Sequence, residues 1–272
     1  MFDYHVHSDY SADCTTPMEE TIKKGIEMGL KEICFTEHID YDYPDPSFVF
    51  EFDLVSYDRS IKQMQERYQK WITIKKGIEI GVEPQLLDRY KELVRQEDFD
   101  FVICSMHTTD RTDLHSGKFF QNRTIEEAYM TYYEQLLYCI QHFDNFSVLG
   151  HLDLVKRYKQ GSNSDFHEVI AEILKLVIAK GKGIELNTSG FRYGLDSGMP
   201  SNDILQLYRE LGGEIITLGS DSHRADTLGY EFKASLEILS SLGFNYITTF
   251  DKGEPSFHRI EQRGKMSHNI SK

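Results

Sequence analysis

Apolar residues along the chain fall into two alternating rhythms. Short, nearly continuous apolar runs occupy Phe2–His7, Glu32–His38, Ile72–Ile80, Asp100–His107, Phe146–His151, Gly183–Asn187 and Glu214–Gly219. Between them the apolar positions recur every three to four residues, over Met18–Met28, Leu54–Lys70, Pro84–Gln96, Thr124–His142, Asp165–Lys180, Asn202–Leu211 and Lys233–Leu242. The first set predicts strands and the second amphipathic helices. Runs such as Phe101-Val102-Ile103-Cys104 do not alternate with polar residues, so both faces of those strands are expected to be covered. Thr15-Thr16-Pro17 opens the first helix, and Gly29, Gly181 and Gly212 follow helix ends. Strand–helix units in this order predict an α/β fold with a parallel sheet, and seven of them favour closure into a TIM-like barrel. Asn245–Phe250 reads as an eighth, shorter strand, and residues from about 255 to 272 as a polar surface tail. No linker or compositional split interrupts the pattern, which predicts a single domain over residues 1–272.

Composition narrows the partners. With 40% hydrophobic and 12% aromatic residues in 272, the chain has apolar surface enough for a real core, which excludes disorder. Its 44 acidic against 30 basic residues leave a net charge of −14, a field that repels a nucleic-acid backbone. An anionic substrate therefore needs a local concentration of positive charge. The first residues show no basic-then-apolar leader, and no apolar run reaches the roughly 18 residues of a membrane helix. Cys14, Cys34, Cys104 and Cys139 form no C-x-x-C; Cys34 and Cys104 sit in apolar runs and read as core thiols. A reducing, cytoplasmic setting is the expectation. No long heptad pattern speaks to oligomeric state.

The placement of histidine carries the chemistry. Six of eleven lie at or just past predicted strand ends: His5, His7, His38, His107, His151 and His223. Three carboxylates join them, namely Glu79 near the end of the third strand, Asp221 after the seventh and Asp13 in the first loop. In a barrel of this kind the C-terminal strand ends form one rim, so these distant residues converge. Crowded imidazoles repel or deprotonate one another unless cations separate them, which points to metal. His5-Val6-His7 places two rings on one face of a strand, and Asp221-Ser222-His223 repeats that spacing. His115, His142, His167, His258 and His268 have no such position and read as ordinary core or surface residues. Glu37, beside His38, should face the other way; Asp153 is placed to orient His151; Glu83, before Pro84, reads as a helix-start residue competing with Glu79.

These motifs resemble the PHP (polymerase and histidinol phosphatase) superfamily, most closely its monofunctional histidinol-phosphate phosphatases. The resemblance runs from His5-Val6-His7-Ser8 through Phe35-Thr36-Glu37-His38, Gly77-Ile78-Glu79, Gly150-His151-Leu152-Asp153 and Glu185-Leu186-Asn187-Thr188 to Gly219-Ser220-Asp221-Ser222-His223. It implies a distorted (β/α)7 barrel, the PHP fold, with three divalent metal ions at the C-terminal strand ends. One ion would take His5, His7, Glu79 and Asp221; a second would share Glu79 and add His107 and His151; the third would take Asp13, His38 and His223. Nitrogen and oxygen donors without thiolate suit zinc, manganese or iron. The implied reaction is hydrolysis of L-histidinol phosphate to L-histidinol and phosphate, a step of histidine biosynthesis.

The chemistry can also be reasoned directly. Clustered divalent ions lower the pKa of a bridging water, hold the resulting hydroxide beside phosphorus and neutralise the phosphoryl oxygens. The leaving alkoxide needs a proton or a metal, and Asp13, Asp221 or a metal-bound water are the candidates. Arg157 and Arg192, on loops after the fifth and sixth strands, are the expected phosphate clamps, with Asn187 supporting the site. Aromatic residues of loop 39–53 (Tyr41, Tyr43, Phe48, Phe50) and the acidic residues Asp110 and Asp113, with His115, could hold a cationic imidazole-bearing end. The alternatives are another phosphoesterase of the superfamily, acting on phosphotyrosine, a nucleotide or a sugar phosphate, and a non-catalytic metal-binding module. A nuclease is disfavoured by the charge. An amidohydrolase is disfavoured because no lysine stands where Glu79 does.

Overall fold

The computed structural model describes residues 1–162 and 165–261. The chain runs β1 (Phe2–Val6), α1 (Met18–Met28), β2 (Glu32–Ile39), α2 (Leu54–Tyr68), β3 (Thr73–Gly81), α3 (Leu87–Gln96) and β4 (Phe101–Ser105). A small hairpin of β5 (Thr108–Thr109) and β6 (Thr112–Asp113) precedes α4 (Ile125–His142) and β7 (Val148–Leu149). Then come α5 (Val155–Tyr158), α6 (His167–Ala179), β8 (Gly183–Asn187), α7 (Ser189–Arg192), α8 (Asn202–Glu210) and β9 (Ile216–Gly219). Helix α9 (Phe232–Ser241) and the strands β10 (Tyr246–Asp251) and β11 (Glu254–Arg259) complete the described chain.

Seven strands form one parallel sheet in the order β1-β2-β3-β4-β7-β8-β9. The sheet curls into a nearly closed barrel whose seam is not a regular ladder. Just past β9, the backbone amide of His7 donates to Ser222 O at 2.9 Å, and that of Ser222 to His5 O at 3.3 Å. Buried Asp3 seals the seam below, accepting from the Ser220 amide at 2.9 Å and its hydroxyl at 2.6 Å. Burial pushes the Asp3 carboxyl up to about 6 against these hydrogen bonds.

Strand alternation sorts the side chains into two layers. Outward-facing Ile33, Ile78, Val102, Leu149, Ile184 and Ile216 join the large core beneath the helices. Tyr4, Cys34, Phe101, Ile103, Val148 and Phe250 form a second, inner apolar cluster. An irregularity in the β1–β2 register between Asp3 and Val6 lets Tyr4 join this inner cluster while His5, the next residue, reaches the polar rim.

The expected eighth strand exists as β10, but it lies outside the barrel sheet. It pairs antiparallel with β11, so the chain from 254 to 259 is a strand, not the beginning of a tail. Lys252-Gly253, both at positive φ, make the two-residue turn that such a hairpin needs. The hairpin caps the barrel floor: Phe250 enters the inner cluster, its amide donates to Tyr4 Oη at 2.8 Å, and Gly253 N donates to Asp100 O at 2.9 Å. The remainder of the expected tail, 262–272 and with it His268, lies outside the described residues. All four cysteines are buried free thiols. Among the described residues no helix is long and apolar enough to cross a membrane.

Candidate metal centre

Glu79, fully buried on β3, is the hub of the rim. Its Oε1 lies 3.0 Å from His151 Nε2 and 3.2 Å from His107 Nε2, and accepts a 2.6 Å hydrogen bond from Ser105 Oγ. Its Oε2 lies 3.0 Å from His5 Nε2, 3.1 Å from His38 Nδ1 and 3.5 Å from His7 Nε2. Asp221 Oδ1 stands 3.6 Å from both His7 Nε2 and His223 Nδ1, and 3.8 Å from His5 Nε2. Asp13 Oδ2 lies 3.2 Å from His223 Nε2 and 3.8 Å from His38 Nε2. All nine residues singled out in the sequence therefore meet. The donor atoms converge as three overlapping sets, His5–His7–Asp221, His38–Glu79–His107 and His7–His38–His223, with His7 and His38 each facing two of them.

The electrostatics favour cations. His7 is stacked between His38 and His223, with ring centroids 4.3 and 4.2 Å away. Burial, then His223, His38 and His5, hold its pKa well below the ordinary imidazole value, so it is a neutral lone-pair donor. Burial opposes ionisation of Glu79, but His5, His38 and His107 outweigh it and hold the carboxyl well below its usual range. For Asp13 burial is likewise overcome, by His38 and His223, to give about 2; Asp221 is lowered in the same way, chiefly by His5. Carboxylates held this firmly ionised suit ligation and are poor proton donors. Buried His7 Nε2, His38 Nδ1 and His223 Nε2 point into the cluster, where the nearby Glu79 and Asp13 oxygens are not aligned for a hydrogen bond and no other described group pairs with them. Unpartnered buried nitrogens are costly, and divalent ions on these all-nitrogen-and-oxygen donors would satisfy them. The residues fit a polynuclear metal group.

Above the cluster opens a cavity of about 370 Å³, walled by Tyr43, Phe48, Phe50, Tyr158, Tyr193 and three arginines, Arg157, Arg192 and Arg224. A larger cavity of about 490 Å³ lies beyond α5, without the clustered metal donors. Both expected clamps reach the smaller one, from single helical turns and not open loops. Arg157, on α5, rests its guanidinium 3.3 Å from the Tyr193 ring centroid and 3.8 Å from Asp221 Oδ2. Arg192, on α7, donates to Ser220 O at 2.7 Å and Asp221 O at 2.8 Å, spending two donors on the backbone that carries a candidate ligand.

The PHP domain pattern matches residues 3–189. The chain belongs to the PHP domain family. It is 33% identical to the histidinol-phosphatase of Lactococcus lactis over 91% of this chain and 93% of that one. The probable histidinol-phosphatase of Clostridium acetobutylicum is 31% identical, over 89% and 93% of the two chains. A crystal structure of the Lactococcus lactis histidinol phosphate phosphatase, complexed with zinc, L-histidinol and phosphate, superposes with a TM-score of 0.86 at 32% identity, covering 94% of this chain and 98% of that one.

Within this PHP rim several sequence expectations change. Glu37 faces away from the cluster as expected, accepting from Ser8 N at 3.0 Å, Ser8 Oγ at 2.6 Å and Ser11 Oγ at 2.7 Å. Asp153 does not orient His151: it pairs with Lys156 Nζ at 2.9 Å and accepts from Ser201 N, because the chain turns into α5 straight after the histidine. Asp110 is held by Arg123 at 2.7 Å and Asp113 by the amide and hydroxyl of Ser116, so neither lines the cavity; Asp40 does. His115, read as ordinary, stands at the cavity wall beside Tyr158.

Three ligand-orienting groups carried no assigned role. Glu185 Oε1 accepts from His5 Nδ1 at 2.6 Å, Asp40 Oδ2 lies 2.7 Å from His107 Nδ1, and Ser11 Oγ lies 3.1 Å from His7 Nδ1. The available signal was alternation. Asp40 is two residues past His38 and Glu185 two before Asn187, on the same strand faces.

Proposed function

We propose that this chain is a divalent-metal-dependent phosphomonoesterase that hydrolyses L-histidinol phosphate to L-histidinol and phosphate. The observation that carries the reading is a cluster of nine metal-donor side chains, Glu79 at its hub, beneath a pocket walled by arginines and aromatic rings. The full-length likeness to histidinol-phosphatases supports the substrate. His5, His7, Glu79 and Asp221 would hold one ion, Glu79, His107 and His151 a second, and Asp13, His38 and His223 a third. Bound there, zinc, manganese or iron ions supply Lewis acidity, activating water and neutralising phosphoryl charge.

The protein's own part is positioning. Arg157, braced on Tyr193, presents guanidinium donors to the phosphoryl oxygens above Asp221, and Arg192 fixes the backbone of Ser220 and Asp221 from behind. Tyr43, Phe48, Phe50 and Tyr158 offer ring faces, and Asp40 negative charge, to a cationic imidazole or ammonium tail. The buried free thiols fit the cytoplasmic setting that belongs to the same proposal. The test is to strip the protein with a chelator, restore zinc or manganese, and follow phosphate release from L-histidinol phosphate. Release that disappears with the metal and returns with it supports the reading; no release after restoration of bound metal overturns it.

A further inference from the structure

Among the described residues behind the rim, Glu185 on β8 is the carboxylate that touches two candidate ligands at once. Its Oε1 accepts the His5 Nδ1 proton at 2.6 Å, while its Oε2 accepts from the His151 backbone amide at 3.0 Å and from Asn187 Nδ2 at 3.2 Å. It is 1% exposed. The carboxylate lies in a slot that lacks side chains on two sides. A Cβ on Gly219 would overlap both Glu185 Oε1 and the His5 Cβ, and one on Gly150 would crowd Ser105 Oγ and come within 3.6 Å of Glu185 Oε2. Asp40, by contrast, touches His107 alone among the candidate ligands, and Ser11 spans His7 Nδ1 at 3.1 Å and the His38 amide at 3.0 Å with an uncharged hydroxyl. Fixing the Nδ1 proton leaves His5 Nε2 as the lone pair facing Glu79 and Asp221.

We propose that Glu185 is a positioning residue shared by two metal sites, locking the tautomer of His5 on one and the backbone that carries His151 on the other. This rests on the ligand assignment above. Only a carboxylate accepts on both sides. A glutamine must turn its NH2 toward either the His5 donor or the His151 amide, so one contact becomes donor against donor. Loss of such an orienting partner weakens metal affinity by about 10- to 100-fold.

The test is a zinc titration against a competing chelator, with metal content per chain, on wild type, Glu185→Gln and Asp40→Asn. Circular dichroism and the melting curve of each metal-free protein report folding. The expected result is that Glu185→Gln, folded, weakens two ions together by about 10- to 100-fold, whereas Asp40→Asn weakens one. If Glu185→Gln does not fold, Glu185→Asp keeps the charge but withdraws it by one methylene, and the same paired loss is expected. A folded Glu185 variant with wild-type zinc content and chelator midpoint overturns the proposal, as does loss of a single ion. Wild type that binds no zinc would instead overturn the metal assignment itself.

Discussion

At the residue scale, the two arginines are distinguishable by what holds them. Among the described residues Arg157 meets the Tyr193 and Tyr158 rings and the edge of Asp221, none of which takes up its donors as the Ser220 and Asp221 carbonyls take up those of Arg192. Arg157→Ala is expected to lower kcat/KM about 10- to 100-fold, the worth of a charge-assisted hydrogen bond, while metal content stays intact. Arg192→Ala removes the clamp on the Ser220 and Asp221 carbonyls and is expected to reduce metal content as well as kcat/KM. Steady-state kinetics alongside elemental analysis of both variants separates the two roles. Eight of the nine candidate donors were legible in sequence because each sits at or just past an equivalent strand end, and Asp13 because it lies in the loop that follows the first of those ends. Asp153 was misread because sequence adjacency to His151 says nothing of a chain that turns at once, and Glu185 passed unassigned because its partners are 180 and 34 residues away.

At the element scale, the seven barrel strands and their main helices follow from apolar rhythm alone, since covering both faces of a parallel strand leaves a continuous apolar run. The β10–β11 hairpin was only half legible. β11 is exposed along most of its length, so no apolar pattern marks it, and the Lys252-Gly253 turn was the remaining cue. Its Phe250 is buried against Tyr4 and Phe101, at ring-centroid distances of 6.5 and 5.1 Å. Phe250→Ala should cost about 3–5 kcal/mol of stability through the cavity it leaves. A denaturant melt checks this, and kcat of the folded enzyme should be unchanged, because the plug lies at the opposite end of the barrel from Glu79. A loss of kcat with stability intact would place the hairpin in the catalytic machinery.

At the scale of the whole molecule, the −14 charge and phosphate chemistry are reconciled by position. Three divalent ions on the proposed ligands would outweigh the charge of Asp13, Glu79 and Asp221 and make a positive focus inside a negative body. That field disfavours long polyanions but not a small monoester with a cationic tail. Metal loading should also depend on pH with a defined sign. Burial opposes protonation of His5 and His107, yet Glu185, Glu79 and Asp221 around the first, and Asp40 and Glu79 around the second, raise both pKa values well above the ordinary one. Metal must displace those protons, so zinc affinity falls as pH falls and loading releases protons. Isothermal titration in two buffers of different ionisation enthalpy measures the proton count; a count of zero contradicts this picture.

The central claim concerns substrate as well as metal. Its most direct test is the ratio of kcat/KM values, for the metal-restored enzyme, between L-histidinol phosphate and a panel of phosphotyrosine, a nucleoside monophosphate and a sugar phosphate. The expected result is a preference for L-histidinol phosphate of about 100-fold or more, since a cationic tail held by acidic and aromatic groups contributes roughly 3 kcal/mol. Equal turnover across the panel, or a higher value for any other ester, would contradict it.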